Sequence, residues 1–176
     1  FSDKLFSNAS VIYSNYNYGL QIKFAGIDWE SSIKNYNFKY DFKHYVSDKL
    51  NLSYGLNSIY YQFNPGTIKP FDETSPVKPD QIAKKNALEN AVYISAEQKF
   101  SDKLSVNYGL RYSHFLRLGA QQMNTYANNE AVVFNPEMQV YEEGTPTGSI
   151  SYGKNKKIAN FGNLEPRLGI AYTLND

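Results

Sequence analysis

His44 and His114 are the side chains of this sequence best suited to proton transfer or metal ligation near neutral pH, and no cysteine accompanies them. An imidazole that holds zinc or works as a general base needs carboxylates, thiolates or further imidazoles converging on it. Neither histidine has an Asp or Glu at ligand spacing on its own face, so both read as satisfied or interfacial rings near strand ends. The neighbours Asp72 and Glu73, and Glu142 and Glu143, stand in segments without periodicity. There they read as solvated charge, or as contacts for divalent cations associated with lipopolysaccharide, and not as an acid and base pair. No nucleophile elbow, phosphate loop or zinc motif is present. The expectation is a protein that is not an enzyme, with no catalytic residue, metal or cofactor. Glu165 and Arg167 carry a different message. Two residues apart in an extended segment they share one face, within reach of Arg111 or Lys99, and so read as rungs of a polar ladder.

Positioning such a ladder takes strands, and the clearest is 104–118. Leu104, Val106, Tyr108, Leu110, Tyr112 and Leu116 fall on one face, and Ser105, Asn107, Gly109, Arg111, Ser113 and Arg117 on the other, with His114 and Phe115 as exceptions. The turn before it, Phe100-Ser-Asp-Lys-Leu104, recurs as Phe1-Ser-Asp-Lys-Leu5 and Val46-Ser-Asp-Lys-Leu50. One turn-plus-strand device is used repeatedly, which implies an antiparallel meander. Within 29–46, Tyr36, Phe38, Tyr40 and Phe42 alternate with Asn37, Lys39, Asp41 and Lys43. Strands are also expected over about 5–18, 50–63, 91–100 and from 163 onward, six long ones in all. Segments 19–28, 64–90 and 119–160 are expected as connections, with a helix-compatible patch at 81–88 and short strands at 132–134 and 138–141.

Turns at one end of these strands are brief and nearly identical, whereas the connections at the other end are long. That asymmetry belongs to outer-membrane barrels, whose brief turns face the periplasm and whose long loops face outward. Composition agrees. The chain holds 16 tyrosines and 11 phenylalanines, yet its mean hydropathy is −0.55, too polar for a thick two-layer core. Tyr13, Tyr16, Tyr18, Tyr36, Tyr45, Tyr60, Tyr61 and Tyr112 are expected near strand ends, where aromatic girdles meet both bilayer interfaces. A net charge of +1 without a basic run argues against a nucleic-acid partner. No apolar run approaches the ~20 residues of a membrane helix, but a barrel strand needs only ~9–11. A start at Phe1 reads as a mature or excised piece of a longer chain.

Five stretches, in this order and spacing, carry a family resemblance across essentially the whole chain. They are Ser31-Ser-Ile-Lys-Asn-Tyr36, Phe63-Asn-Pro-Gly66, Glu89-Asn-Ala-Val-Tyr-Ile-Ser-Ala-Glu97, Phe100-Ser-Asp-Lys-Leu-Ser-Val-Asn-Tyr-Gly-Leu-Arg-Tyr112 and Asn163-Leu-Glu-Pro-Arg-Leu168. Together they resemble the C-terminal barrel of TonB-dependent outer-membrane receptors of the Bacteroidetes type. The resemblance implies a transmembrane barrel of about 22 strands with a plug, in the bacterial outer membrane, importing a scarce or bulky ligand with energy from the TonB complex. Residues 1–176 then read as one all-β barrel segment without the plug. Its partners are outer-membrane lipid, lipopolysaccharide and, through the missing plug, TonB, with room for a surface lipoprotein.

On this reading Lys39, Asp41, Asn107, Arg111, Glu165 and Arg167 face the lumen, and Arg117, Tyr126 and Tyr141 are the candidate ligand contacts. A second reading stays open at this point: a non-transporting β-sheet surface protein that binds carbohydrate or another partner through its long loops.

Overall fold

The computed structural model describes residues 3–174. Its strands are β1 (Leu5–Ile22), β2 (Ile27–Ser47), β3 (Leu50–Pro70), β4 (Asp80–Gln81), β5 (Lys85–Lys99), β6 (Leu104–Leu118), β7 (Gln121–Tyr126), β8 (Val132–Asn135), β9 (Val140–Glu143), β10 (Pro146–Tyr152) and β11 (Lys157–Tyr172). The six long strands form one antiparallel meander in the order β1-β2-β3-β5-β6-β11, and β4 adds to β3. Each long strand pairs with the next over nearly its full length, so the ladder satisfies the backbone of the inner strands without help from any second layer, and β1 and β11 are its edges.

No second layer exists among the described residues. A compact monomer of this mass exposes about 8,700 Å², whereas this chain exposes 12,970 Å². Ala91 and Ala96 are the only buried apolar side chains among those described, while Val11, Leu168 and Ile170 stay 84%, 72% and 66% exposed. None of the described residues covers their face.

Register reveals how that face is bounded. Tyr13, Tyr36, Tyr60, Leu88 and Leu116 lie side by side in one row across five strands, with the Tyr13 and Tyr36 rings 5.1 Å apart. The next row up is Asn15, Lys34, Gln62 and Asn86. Four adjacent strands thus switch from aromatic or apolar to polar at one level. Below the switch, the apolar side chains of β3 run from Tyr60 down to Leu50, the ~9–11 residues a tilted strand needs to cross a bilayer. Phe42 stacks on Tyr54 at 5.1 Å within this band. Two polar side chains inside it, Ser58 and Asn90, satisfy each other, Ser58 Oγ donating to Asn90 Oδ1 at 2.8 Å.

The short turns are Asp48-Lys49 and 100–103, both at the lower end; Ser2 of the first Ser-Asp-Lys run lies outside the described residues. The upper connections differ from expectation. Segment 19–28 is not a ten-residue loop, because β1 and β2 stay paired up to Ile22 and Ile27, and only 23–26 remain, closed by Gly26 at φ 68°. Phe63-Asn-Pro-Gly66 is not a strand end. The register slips between Glu30 and Ser32 on β2, so that Pro65 and Gly66 oppose the buried Ser31 in a bulge, where a proline without an N–H is tolerated. Ser31 Oγ donates to Asn64 O at 2.7 Å, and a Cβ on Gly66 would collide with Trp29 Nε1. The patch at 81–88 is not helical, because β5 begins at Lys85 and pairs with β3 from Phe63 downward.

Segment 119–160 is also more ordered than expected. It continues the β6–β11 hairpin upward as the β7–β10 pair and, beyond it, the β8–β9 pair. Gly119 N–H donates to Lys156 O at 2.8 Å, which joins the two tiers. Met138 belongs to the tip turn and not to a strand; there Asn135 Oδ1 accepts from the N–H groups of Glu137 and Met138 at 3.0 and 3.2 Å.

Leu110 lies midway along the apolar band and Asn107 on the opposite face. Leu110→Arg is expected to destabilise the assembled barrel in lipid vesicles by ~2–4 kcal/mol, and Asn107→Lys by well under 1 kcal/mol. Denaturant unfolding of the two variants checks this, and equal losses contradict the assignment of faces.

Candidate functional site

The polar face gathers the charges that the sequence scattered over four strands. Arg111 on β6 has Tyr93 of β5 and Glu165 of β11 as its direct cross-strand neighbours. Its Nε lies 3.9 Å from Glu165 Oε1, and its guanidinium also stands 3.9 Å from Glu89 Oε1 and 6.0 Å above the Tyr93 ring. Arg111 Nε donates to Ser113 Oγ at 3.1 Å, and the Ser113 hydroxyl donates to Glu165 Oε1 at 2.6 Å. Arg167 closes one end, 3.6 Å from Glu165 Oε2, and the Tyr61 hydroxyl closes the other, donating to Glu89 Oε2 at 3.2 Å. The result is a chain of charges alternating in sign, Glu89, Arg111, Glu165 and Arg167, begun by the Tyr61 hydroxyl and strung across β3, β5, β6 and β11. These pairs, partly buried around Arg111 and exposed at Arg167, hold each other's rotamers and leave little net charge. They contribute shape and polarity more than affinity for any one ion.

The ladder that Glu165 and Arg167 were expected to join therefore forms through Arg111, whereas Lys99 pairs in register with Ser105 farther down. Lys39 and Asp41 share the same face and pair with each other at 2.7 Å. Lys39, Tyr93, Asn107, Arg111 and Arg167 line one open hollow of about 480 Å³. Glu89, Tyr61 and Ser113 escaped the sequence reading. Face parity alone was too weak a signal for them, since their meeting depends on the register of β3 with β5, β5 with β6 and β6 with β11, and on the reach of an arginine.

The three candidate ligand contacts are not brought together. Arg117 tops β6, where its NH2 donates to Gln121 Oε1 at 2.7 Å. Tyr126 ends β7, and Tyr141 stands 75% exposed on β9, its ring 5.2 Å from that of Phe134. Of the tyrosines expected at girdles, Tyr13, Tyr36 and Tyr60 form one, whereas Tyr61 and Tyr45 lie on the polar face and Tyr112 lies two rows below the rim.

Several other titratable groups have structural employment. His114 stacks on Tyr112 at 6.3 Å between Asn90 and Gly162, and His44 sits between Leu5 and Leu52. In the upper loop the Thr74 hydroxyl and N–H donate to Asp72 Oδ1 at 2.7 and 2.9 Å, which holds that carboxyl below its usual range. Lys69 donates to Glu30 at 2.7 Å, and this bond raises the ammonium's pKa. Glu142 accepts from Asn135 Nδ2 at 3.0 Å. Among the described residues no three His, Cys, Asp or Glu side chains stand close enough to hold a metal.

A family model described as Outer membrane beta barrel domain matches residues 15–176. Comparison with curated proteins and with solved structures gave no match.

If the ladder is formed in the membrane, Arg111 and Glu89 must be energetically coupled. A double-mutant cycle with Arg111→Met and Glu89→Gln in the assembled barrel is expected to give a coupling of about 0.5–1 kcal/mol. Strictly additive losses contradict the geometry.

Proposed function

We propose, from the premise that this chain belongs to the outer membrane beta barrel domain family, that it is wall and outer loop of a receptor that imports a scarce or bulky ligand by TonB-energised transport. The chain is a β-barrel segment of the bacterial outer membrane, and its six-stranded meander is barrel wall. The observation that carries the transport reading is the division of faces. One face is apolar and ends at a row of tyrosines, while the other bears a polar ladder across β3, β5, β6 and β11 suited to lining a wide lumen. Energised uptake is supported by the resemblance of the five sequence stretches quoted above, since a fold alone does not imply a function. The reaction cycle in this reading contains no covalent chemistry. The work is selective contact, supplied by the projecting hairpin and by lumen residues such as Arg117, and release driven through a plug. A surface lipoprotein fits above the hairpin in the same scheme.

A second reading, a barrel that does not transport but displays a binding hairpin for carbohydrate, draws on one observation, the projection of β7–β10 with Tyr126 and Tyr141 above the wall. Excision of residues 121–152 separates the two. Because Gly119 and Lys156 are already bonded to each other, β6 and β11 remain connectable and the barrel is expected to assemble. Cells carrying the excision should lose ligand uptake, and cells with the intact barrel but no TonB should lose it too. Uptake that persists without TonB contradicts the transport mechanism, and uptake that persists without the hairpin contradicts its role.

A further inference from the structure

The polar face is interrupted near its upper end by side chains that do not suit a water-filled lumen. Ile12, Ile59, Phe115 and Phe161 occupy a single row across the sheet, shared with Asn37 and Glu89. Ile33 and Phe63, direct neighbours, stand above that row. Ile33, Phe63, Ala87 and Phe115 floor an open hollow of about 550 Å³. Apolar side chains gathered on an otherwise hydrated face mark a contact surface. The rim of the hollow is charged unequally. Lys85 lies beside Phe63 and Arg117 beside Ala87, and neither has a carboxylate partner among the described residues. The one carboxylate at the rim, Glu89, is engaged by Tyr61 at 3.2 Å and by Arg111 at 3.9 Å.

We infer that this hollow binds an amphiphilic anion: a molecule with an aromatic or aliphatic body that rests on Ile33, Phe63 and Phe115, and a carboxylate head held between Lys85 and Arg117. A mostly apolar concavity with a few convergent polar groups is the usual form of a small-molecule site. Arg117 is already oriented by Gln121, so its planar donors are presented to a carboxylate at little cost in side-chain freedom. The same contacts select against neutral analogues, which leave two cations without a counter-ion, and against cations. This rests on the reading of the polar face as lumen, and it names the class of ligand taken there.

The test uses the full-length barrel in lipid nanodiscs, irradiated with 4-benzoylbenzoate or with its uncharged counterpart 4-benzoylbenzamide, the adducts being mapped by peptide mass spectrometry. The carboxylate is expected to label the peptides containing Phe63, Lys85 and Phe115 about fivefold more than the amide. Lys85→Gln combined with Arg117→Gln should lower carboxylate labelling to the amide level, and Phe115→Ser should remove labelling by both probes. Should Phe115→Ser fail to assemble, the charge variant alone decides. Equal labelling by the two probes, or labelling indifferent to Lys85 and Arg117, overturns the inference. So does labelling that appears only in a barrel stripped of an interior plug, because the plug is then the occupant. Labelling that follows the variants while uptake proceeds without TonB leaves the site standing and removes the transport reading instead.

Discussion

A single antiparallel sheet satisfies the backbone of its inner strands but has nowhere to put its apolar face, and the rest of this structure follows from that constraint. The six long strands bury almost nothing against one another except their ladder, and side chains as apolar as Val11, Leu168 and Ile170 are left uncovered. In water such a face is a liability, as are the free edges of β1 and β11. In a bilayer the same face is solvated, and the row of Tyr13, Tyr36 and Tyr60 with Asn15, Lys34 and Gln62 above it marks where hydrocarbon gives way to water. Burial by lipid replaces burial by a second layer.

What was legible in the sequence follows the same boundary. Where the bilayer wets one face and water the other, the period of two is strong, and Leu104–Leu118 and the alternation from Tyr36 to Lys43 read directly as strands with assigned faces. Above the rim both faces are in water, so the ladder continues without leaving a pattern. That is why the upper ends of β1 and β2, the first residues of β5 and the paired tiers of 121–152 read as connections. The bulge at Pro65 and Gly66 was hidden for another reason: an Asn-Pro-Gly run is a turn signal in isolation, and only the long partner strand carrying Ser31 and Trp29 keeps it extended.

The site divides in the same manner. Glu165, Arg167 and Arg111 share a face by parity, so their ladder could be anticipated, while the parts played by Glu89, Tyr61 and Ser113 depend on register and side-chain reach that no spacing within one strand encodes. Phe115 stood out as an exception to the alternation, and the structure gives the exception company in Ile33, Ile59, Phe63 and Phe161. A break in a pattern imposed by two solvents is informative because the rule behind it is so general. On an otherwise polar face, an apolar cluster has to be explained by something that touches it.

The central claim is that one face of this sheet is in contact with hydrocarbon and the other with water. The most direct measurement is a nitroxide scan, one label at a time, over residues 105–117 of β6 in the full-length barrel reconstituted in lipid, comparing collision with molecular oxygen and with a water-soluble nickel chelate. The account predicts a strict alternation, with even-numbered positions accessible to oxygen and odd-numbered positions accessible to the chelate. Accessibility to the chelate on both faces alike would contradict it, since the apolar face would then be in water and not in lipid.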